Sequence, residues 1–273
     1  MLRFAASVNL MFNEVPLPER FAAAKAAGFD AVEVQYPYAM AIDDMRAAIA
    51  AAGVEVILMN TPQGDASAGE RGLGALPGRE ADFEEAFAKA LDYANAADCK
   101  MIHVTAGVPP ADADSADIDR ILIRNLKAAL AASADSGVTL LVETLNHRDF
   151  PGYHIVKFTH ARRLIEAVAD PRLGFQLDLY HRQINDGDLE YALRDYMDIA
   201  RHIQIAGAPA RNEPDTGEIN YRHLFAVIEE LGWRGWIGAE YRPRGDTVAG
   251  LGWRQSLLPE VERNRDPIRT CRD

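Results

Sequence analysis

Short apolar runs alternate with amphipathic, alanine-rich stretches along almost the whole chain. Eight runs have the length and composition of strands buried on both faces. They are Arg3 to Asn9, Asp30 to Val34, Val54 to Asn60, Lys100 to Thr105, Val138 to Glu143, Leu173 to Asp178, His202 to Ala206 and Trp236 to Glu240. The stretches between them predict helices over 18–27, 43–52, 81–97, 115–136, 159–169, 188–200 and 221–231. Gly28, Gly53, Gly137 and Gly232 stand where such helices end, as residues that accept a left-handed backbone at no steric cost. A last, partly broken helical stretch is expected over 247–264, with a polar tail from about residue 265 to 273.

Eight strands, each followed by a helix, predict an α/β protein with a parallel sheet closed into a (β/α)8 TIM barrel. No linker or change of composition divides the chain, so residues 1–273 read as a single domain. An open doubly wound sheet would want a glycine-rich first turn, and Asn9 to Pro18 is not one. The longest irregular stretch, Thr61 to Arg79, is long enough to be functional and reads as a candidate lid. Its scattered glycines do not follow a strand in the dinucleotide-binding spacing.

Composition narrows the partners. The formal net charge of −12 disfavours nucleic acid and anionic membrane, but not a small anion held in a local field. No apolar run approaches the ~20 residues that span a bilayer, and the N-terminus lacks the pattern of a secretory leader. A cytoplasmic protein is expected, and a homo-oligomer is compatible with the sequence. The two cysteines, Cys99 and Cys271, form no disulfide framework or metal-ligand pattern; Cys99 is expected to pack beside a strand start.

In such a barrel the chemistry lies at the C-terminal strand ends. The last four ends read VETLN, QLDLYH, IQIAG and GAEYR, and offer Glu143, Asp178, Gln204 and Glu240. Singly, Asp178 is explained as a helix cap, Gln204 as a core amide and Glu240 as a partner of Arg242. Together, at equivalent places on consecutive strands, they point to one site. Three converging carboxylates repel unless a proton or a cation intervenes. Oxygen ligands favour a divalent ion of the Mg²⁺ or Mn²⁺ kind over zinc. His181, one turn past Asp178, faces the same mouth, and Arg211 is a candidate fork for a substrate carboxylate. Asn60 and His103 end their strands as wall residues, while Glu70 and Arg71 in the long loop are candidates to close over substrate. His202 reads as the start of its strand, at the wrong end for chemistry.

The segments LLVETLNHRDFPGY, QLDLYHRQINDGDL, HIQIAGAPARNEPDTGEINY and IGAEYRP resemble the hydroxypyruvate isomerase family, a branch of the xylose-isomerase-like TIM barrels. So do FAASVNLMFNEVPLPERFAAAKAAGFDAVE and AGERGLGALPGRE; the match runs to about Pro243. The resemblance implies Glu143 and Glu240 as the proton donor and acceptor pair. The related 2-oxo-tetronate isomerases imply a metal on Glu143, Asp178, Gln204 and Glu240. One departure is Ala210, where relatives usually carry glycine before the arginine. The implied reaction interconverts hydroxypyruvate and tartronate semialdehyde through a metal-stabilised enediolate, with a longer 2-oxo-tetronate as the alternative substrate. A ketose 3-epimerase usually has His where this chain has Gln204. An abasic-site nuclease would want more metal ligands and a basic groove. A non-catalytic sugar-acid binding barrel would not need the full set of ligand-type residues.

Overall fold

A computed structural model describes residues 1–258. Cys271, the expected tail and the end of the expected last helix lie outside the described residues. The strands are β1 (Arg3–Ser7), β2 (Ala31–Glu33), β3 (Glu55–Asn60), β4 (Met101–His103), β5 (Thr139–Glu143), β6 (Leu173–Asp178), β7 (Ala200–Ile205) and β8 (Trp236–Ala239). All pair in parallel with their neighbours in sequence, and β1 pairs with β8, so the sheet closes as a barrel. The helices are α1 (Leu17–Ala26), α2 (Ile42–Ala52), α3 (Glu80–Ala96), α4 (Ser115–Ala132), α5 (Phe158–Val168), α6 (Leu179–Asn185), α7 (Leu189–Tyr196), α8 (Tyr221–Glu230) and α9 (Trp253–Ser256).

The larger core cluster packs the helices against the outward strand residues, with Phe21, Phe83, Leu126, Phe158 and Phe225 among its buried members. A smaller cluster, Ala5, Ala31, Ile57, Leu58 and Leu141, is separate from it. Strand side chains alternate, so positions two residues beyond Ala5, Ala31 and Leu141 share their face. Those positions are Ser7, Glu33 and Glu143, and all are buried. The apolar cluster thus gives way, along the strands, to polar groups near their C-terminal ends.

Most departures from the sequence reading have local causes. The expected helix over 188–200 is two elements: α7 ends at Tyr196 and β7 begins at Ala200. The additional short helix α6 follows β6 directly, with Asp178 as its cap: Asp178 Oδ1 accepts from the Tyr180 and His181 backbone N–H groups at 2.7 and 3.3 Å. His202 is the third residue of β7 rather than its first, and it is fully buried. Cys99 is buried between α3 and β4, as expected, and burial pushes its thiol up to about 12. The Thr61 to Arg79 stretch is partly built in. Its Gly74 and Ala75 N–H groups donate to Thr105 and Ala106, and Leu73, Ala75 and Leu76 are buried. Gly72 has φ +133, and a Cβ there would lie 2.4 Å from the Thr105 carbonyl oxygen, so only glycine permits that approach.

Candidate active site

A cavity of about 290 Å³ opens among the loops that follow the strands, and both Glu143 and Glu240 line it. Asn60, His103, His181, Arg211 and Arg71 line it too. Asp178 and Gln204 are not among the lining residues: Gln204 pairs with Gly238, two residues short of Glu240, and Asp178 Oδ2 lies against His181 and Arg211. Glu70 is not among the lining residues; it pairs with Arg79 and accepts the Asp65 N–H, tying the long loop to itself.

Arg211 organises the carboxylates. Its Nη2 donates to Glu240 Oε2 at 2.6 Å and lies 3.7 Å from Asp178 Oδ2. The residue has φ 56, in the left-handed region, and its carbonyl accepts the Arg242 N–H at 2.7 Å. The strain falls on the arginine itself rather than on Ala210 before it. The fork expected for a substrate carboxylate is thus engaged within the protein.

On the other wall His103 Nδ1 lies 3.3 Å from Glu143 Oε2. His181 Nε2 lies 3.9 Å from Glu143 Oε1 and 3.6 Å from Asp178 Oδ2. The tautomer of His181 follows from its other nitrogen. Nδ1 accepts from the Asn146 backbone N–H at 3.0 Å, so a neutral ring carries its proton on Nε2. Burial, with Arg211 and His103 nearby, holds the imidazole well below its usual range and therefore neutral. His181 is a hydrogen-bond donor to the cavity. Burial takes His103 down to about 3, so it is neutral as well.

The carboxyls shift the other way. Burial, then the charges of Glu240 and Asp178, raises Glu143 well above the usual carboxylate range. Burial pushes Glu240 up to about 8, against the pull of Arg211. Burial also raises Asp178, again opposed by Arg211. One cation shared by three acids, two buried and one largely so, favours the protonated form of some of them, which is the condition for a proton donor beside a proton acceptor. The three carboxyls therefore hold more protons in the folded protein than in the unfolded chain between about pH 4.5 and about pH 8, while the neutral His103 and His181 hold fewer below about pH 6.5, so stability falls as pH rises from about 6.5 to about 8. The expected result is a lower Tm at about pH 8.5 than at about pH 6.5 for metal-free protein, measured by calorimetry at constant ionic strength.

Sequence reading concentrated on the last four strands and missed the contribution of the second. Glu33 is buried between His202 Nε2, with which it makes a close contact, and Gln204 Nε2 at 2.9 Å. A Cβ on Gly238 would fall 1.8 Å from Glu33 Oε1, so the missing side chain on β8 makes room for that carboxylate. Gln35, two residues on, reaches Ser7 Oγ at 2.8 Å and Glu240 Oε1 at 3.3 Å. The signal was present in EVQYP, where Glu33 and Gln35 share a strand face. Tyr36 lines the cavity and its hydroxyl accepts from Asn60 Nδ2 and Gln63 Nε2, leaving its own O–H to donate. Burial pushes that phenol up to about 12, so it keeps its proton.

The donor set fits a divalent ion. Glu143 Oε1 is buried and has no hydrogen-bond partner. Glu143, Asp178 and His181 each bring a ligand-type atom within 4.8 Å of the others. With His181 fixed as a donor, the ligands are oxygens: Glu143 and Asp178, with Glu240 and Gln204 beside them. Glu240 is now held by Arg211. The Gln204 amide is engaged at both ends, by Gln176 at 2.6 Å and by Glu33.

A closed parallel barrel with two glutamates at its C-terminal mouth, their carboxyls raised by burial, defines a class of barrel enzymes that move protons on small polar substrates. The model of the xylose isomerase-like TIM barrel family matches residues 21–257, and the chain belongs to that family. It is 48% identical to a 2-oxo-tetronate isomerase of Cupriavidus necator, over 94% of this chain and 99% of that one. It is 40% identical to the hydroxypyruvate isomerase of Escherichia coli, over 93% and 98%. A solved structure described as an AP endonuclease, family 2, from Brucella melitensis superposes with a TM-score of 0.90 at 44% identity, covering 93% of this chain and 98% of that one.

Proposed function

We propose that this chain is an isomerase of short 2-oxo acids that interconverts hydroxypyruvate and tartronate semialdehyde, with Glu143 and Glu240 as the proton-transfer pair. The observation that carries the reading is that two glutamates with raised carboxyls, Glu143 buried and Glu240 largely so, line one small cavity, with neutral donors around them. One glutamate, ionised, takes a proton from C3 of hydroxypyruvate. The other, protonated, returns one to C2, while the hydroxyl proton passes from the C3 oxygen to the C2 oxygen. His181 Nε2–H and the Tyr36 O–H donate to the oxygens on which charge develops. Glu143, Asp178, Gln204 and Glu240 would hold the ion, for which Mg²⁺ or Mn²⁺ suits the oxygen donors. When bound, that ion supplies Lewis-acid polarisation of the substrate oxygens.

The substrate carboxylate is assigned to Arg71 and Arg242 rather than Arg211. Both line the cavity, and among the described residues neither guanidinium pairs with a carboxylate; Arg71 donates to the Glu70 carbonyl at 3.0 Å. Arg242→Gln is expected to raise KM by about tenfold with little change in kcat, as loss of uniform binding does. Steady-state kinetics with the preferred substrate checks it.

A 2-oxo-tetronate is the second substrate reading, favoured by the 48% identity to the Cupriavidus necator isomerase of that name. A nuclease reading is opposed by the net charge of −12. The test is an assay of purified protein, with Mg²⁺ or Mn²⁺ supplied, against hydroxypyruvate, 2-oxo-tetronates and free ketoses. Isomerisation of a 2-oxo acid supports the reading. Turnover of ketoses alone, or of none, overturns it.

A further inference from the structure

We propose that Asp119, His154 and His160 form a second metal site, apart from the barrel mouth, for a divalent ion of the zinc class. Asp119 lies in the second turn of α4, His160 in the first turn of α5, and His154 in the segment that leads into α5. Both imidazoles converge on a single oxygen: His154 Nε2 and His160 Nε2 each lie 2.7 Å from Asp119 Oδ1. The side chains are largely withdrawn from water, at 6% exposure for His154, 12% for His160 and 26% for Asp119. Three ligand-type atoms from three separate segments thus fall within 4.8 Å of one another.

Two imidazoles and a carboxylate are the donor set of tetrahedral zinc sites that keep a fourth position for water, and they suit Co²⁺ and Ni²⁺ as well. They do not suit the oxygen-seeking ions that the central site favours. Ligation needs the lone pair of each Nε2, so each ring must carry its proton on Nδ1. Neither Nδ1 has a protein partner among the described residues, and nothing holds the rings in the other tautomer except Asp119 itself. With metal–nitrogen bonds of about 2.0–2.1 Å, an ion between the three groups spreads them by only roughly half an ångström.

The ion would also fasten the cavity wall. The His154 N–H donates to Gly107 O at 3.1 Å, and Ile155 O accepts from the Leu145 N–H at 3.0 Å. Leu145 lines the cavity and is followed by Asn146, which holds His181. Loading therefore ties α4 to the segment that sets the His181 tautomer.

The experiment is a titration of untagged, chelator-treated protein with Zn²⁺ by calorimetry, together with anomalous diffraction at the zinc edge from soaked crystals. Wild type and Glu143→Gln are expected to show an anomalous peak among Asp119, His154 and His160. His160→Gln and Asp119→Asn are expected to weaken that binding by about tenfold or more, while keeping isomerase turnover in Mg²⁺ within about twofold of wild type. Zinc found only at the barrel mouth, or bound equally well by His160→Gln, overturns the proposal. If a variant fails to fold, the peak position in the wild-type crystal decides the matter alone.

Discussion

Glu143→Gln and Glu240→Gln each lower kcat by about 10²–10⁴-fold, the range by which a positioned acid or base accelerates proton transfer. Glutamine keeps the shape of the side chain and removes the exchangeable carboxyl proton. The fold is expected to survive, because burial already raises both carboxyls and a neutral group suits their surroundings. Far-UV circular dichroism and Tm close to wild type, with turnover lost, separate chemistry from structure. The Glu240 variant has a second signature. Its neutral amide no longer pairs with Arg211, whose fork then has Asp178 as its nearest acid, at 3.7 Å. Turnover within a fewfold of wild type in both variants would remove the pair from the mechanism.

Arg211→Met destabilises the protein by about 3–5 kcal/mol, because it removes one partner of a buried charge cluster and leaves the others unpaired. The Arg211 side chain is 8% exposed, and its charge is reinforced by Glu240, Asp178 and Glu143 around it. Methionine fills much of the same volume, so the loss reports charge rather than a cavity. The effect has a pH direction. Without the cation the carboxyls rise further, so the variant loses more stability at about pH 8 than at about pH 5, where protons neutralise them. Urea unfolding at both values measures the difference. A variant as stable as wild type at both would show that the arginine does not carry the cluster.

The barrel was legible because the strands are short apolar runs and several of the helices between them are closed by glycines such as Gly28, Gly53 and Gly232. Glu143, Glu240, His103 and Asn60 were legible because a polar residue at the end of a buried strand faces the mouth of a closed barrel. Other features depend on three-dimensional neighbours. The engagement of Arg211 by Glu240 joins residues from two different loops, and a sequence shows only that a guanidinium is available. Asp178 does two jobs, capping α6 with one oxygen while the other faces His181 and Arg211, so each single reading of it was incomplete. Glu33 and His202 meet 169 positions apart in sequence, inside the barrel, where the strand pattern gives their face but not their partner.

The most direct test of the glutamate pair is to run the isomerisation in heavy water and locate deuterium in the product by NMR. Proton transfer through Glu143 and Glu240 predicts solvent deuterium on the carbon that receives the hydrogen, with incorporation lost in either glutamine variant. Product formed at full rate with the substrate's own hydrogen retained and no solvent label would mean direct hydride transfer between the carbons, and would contradict the account.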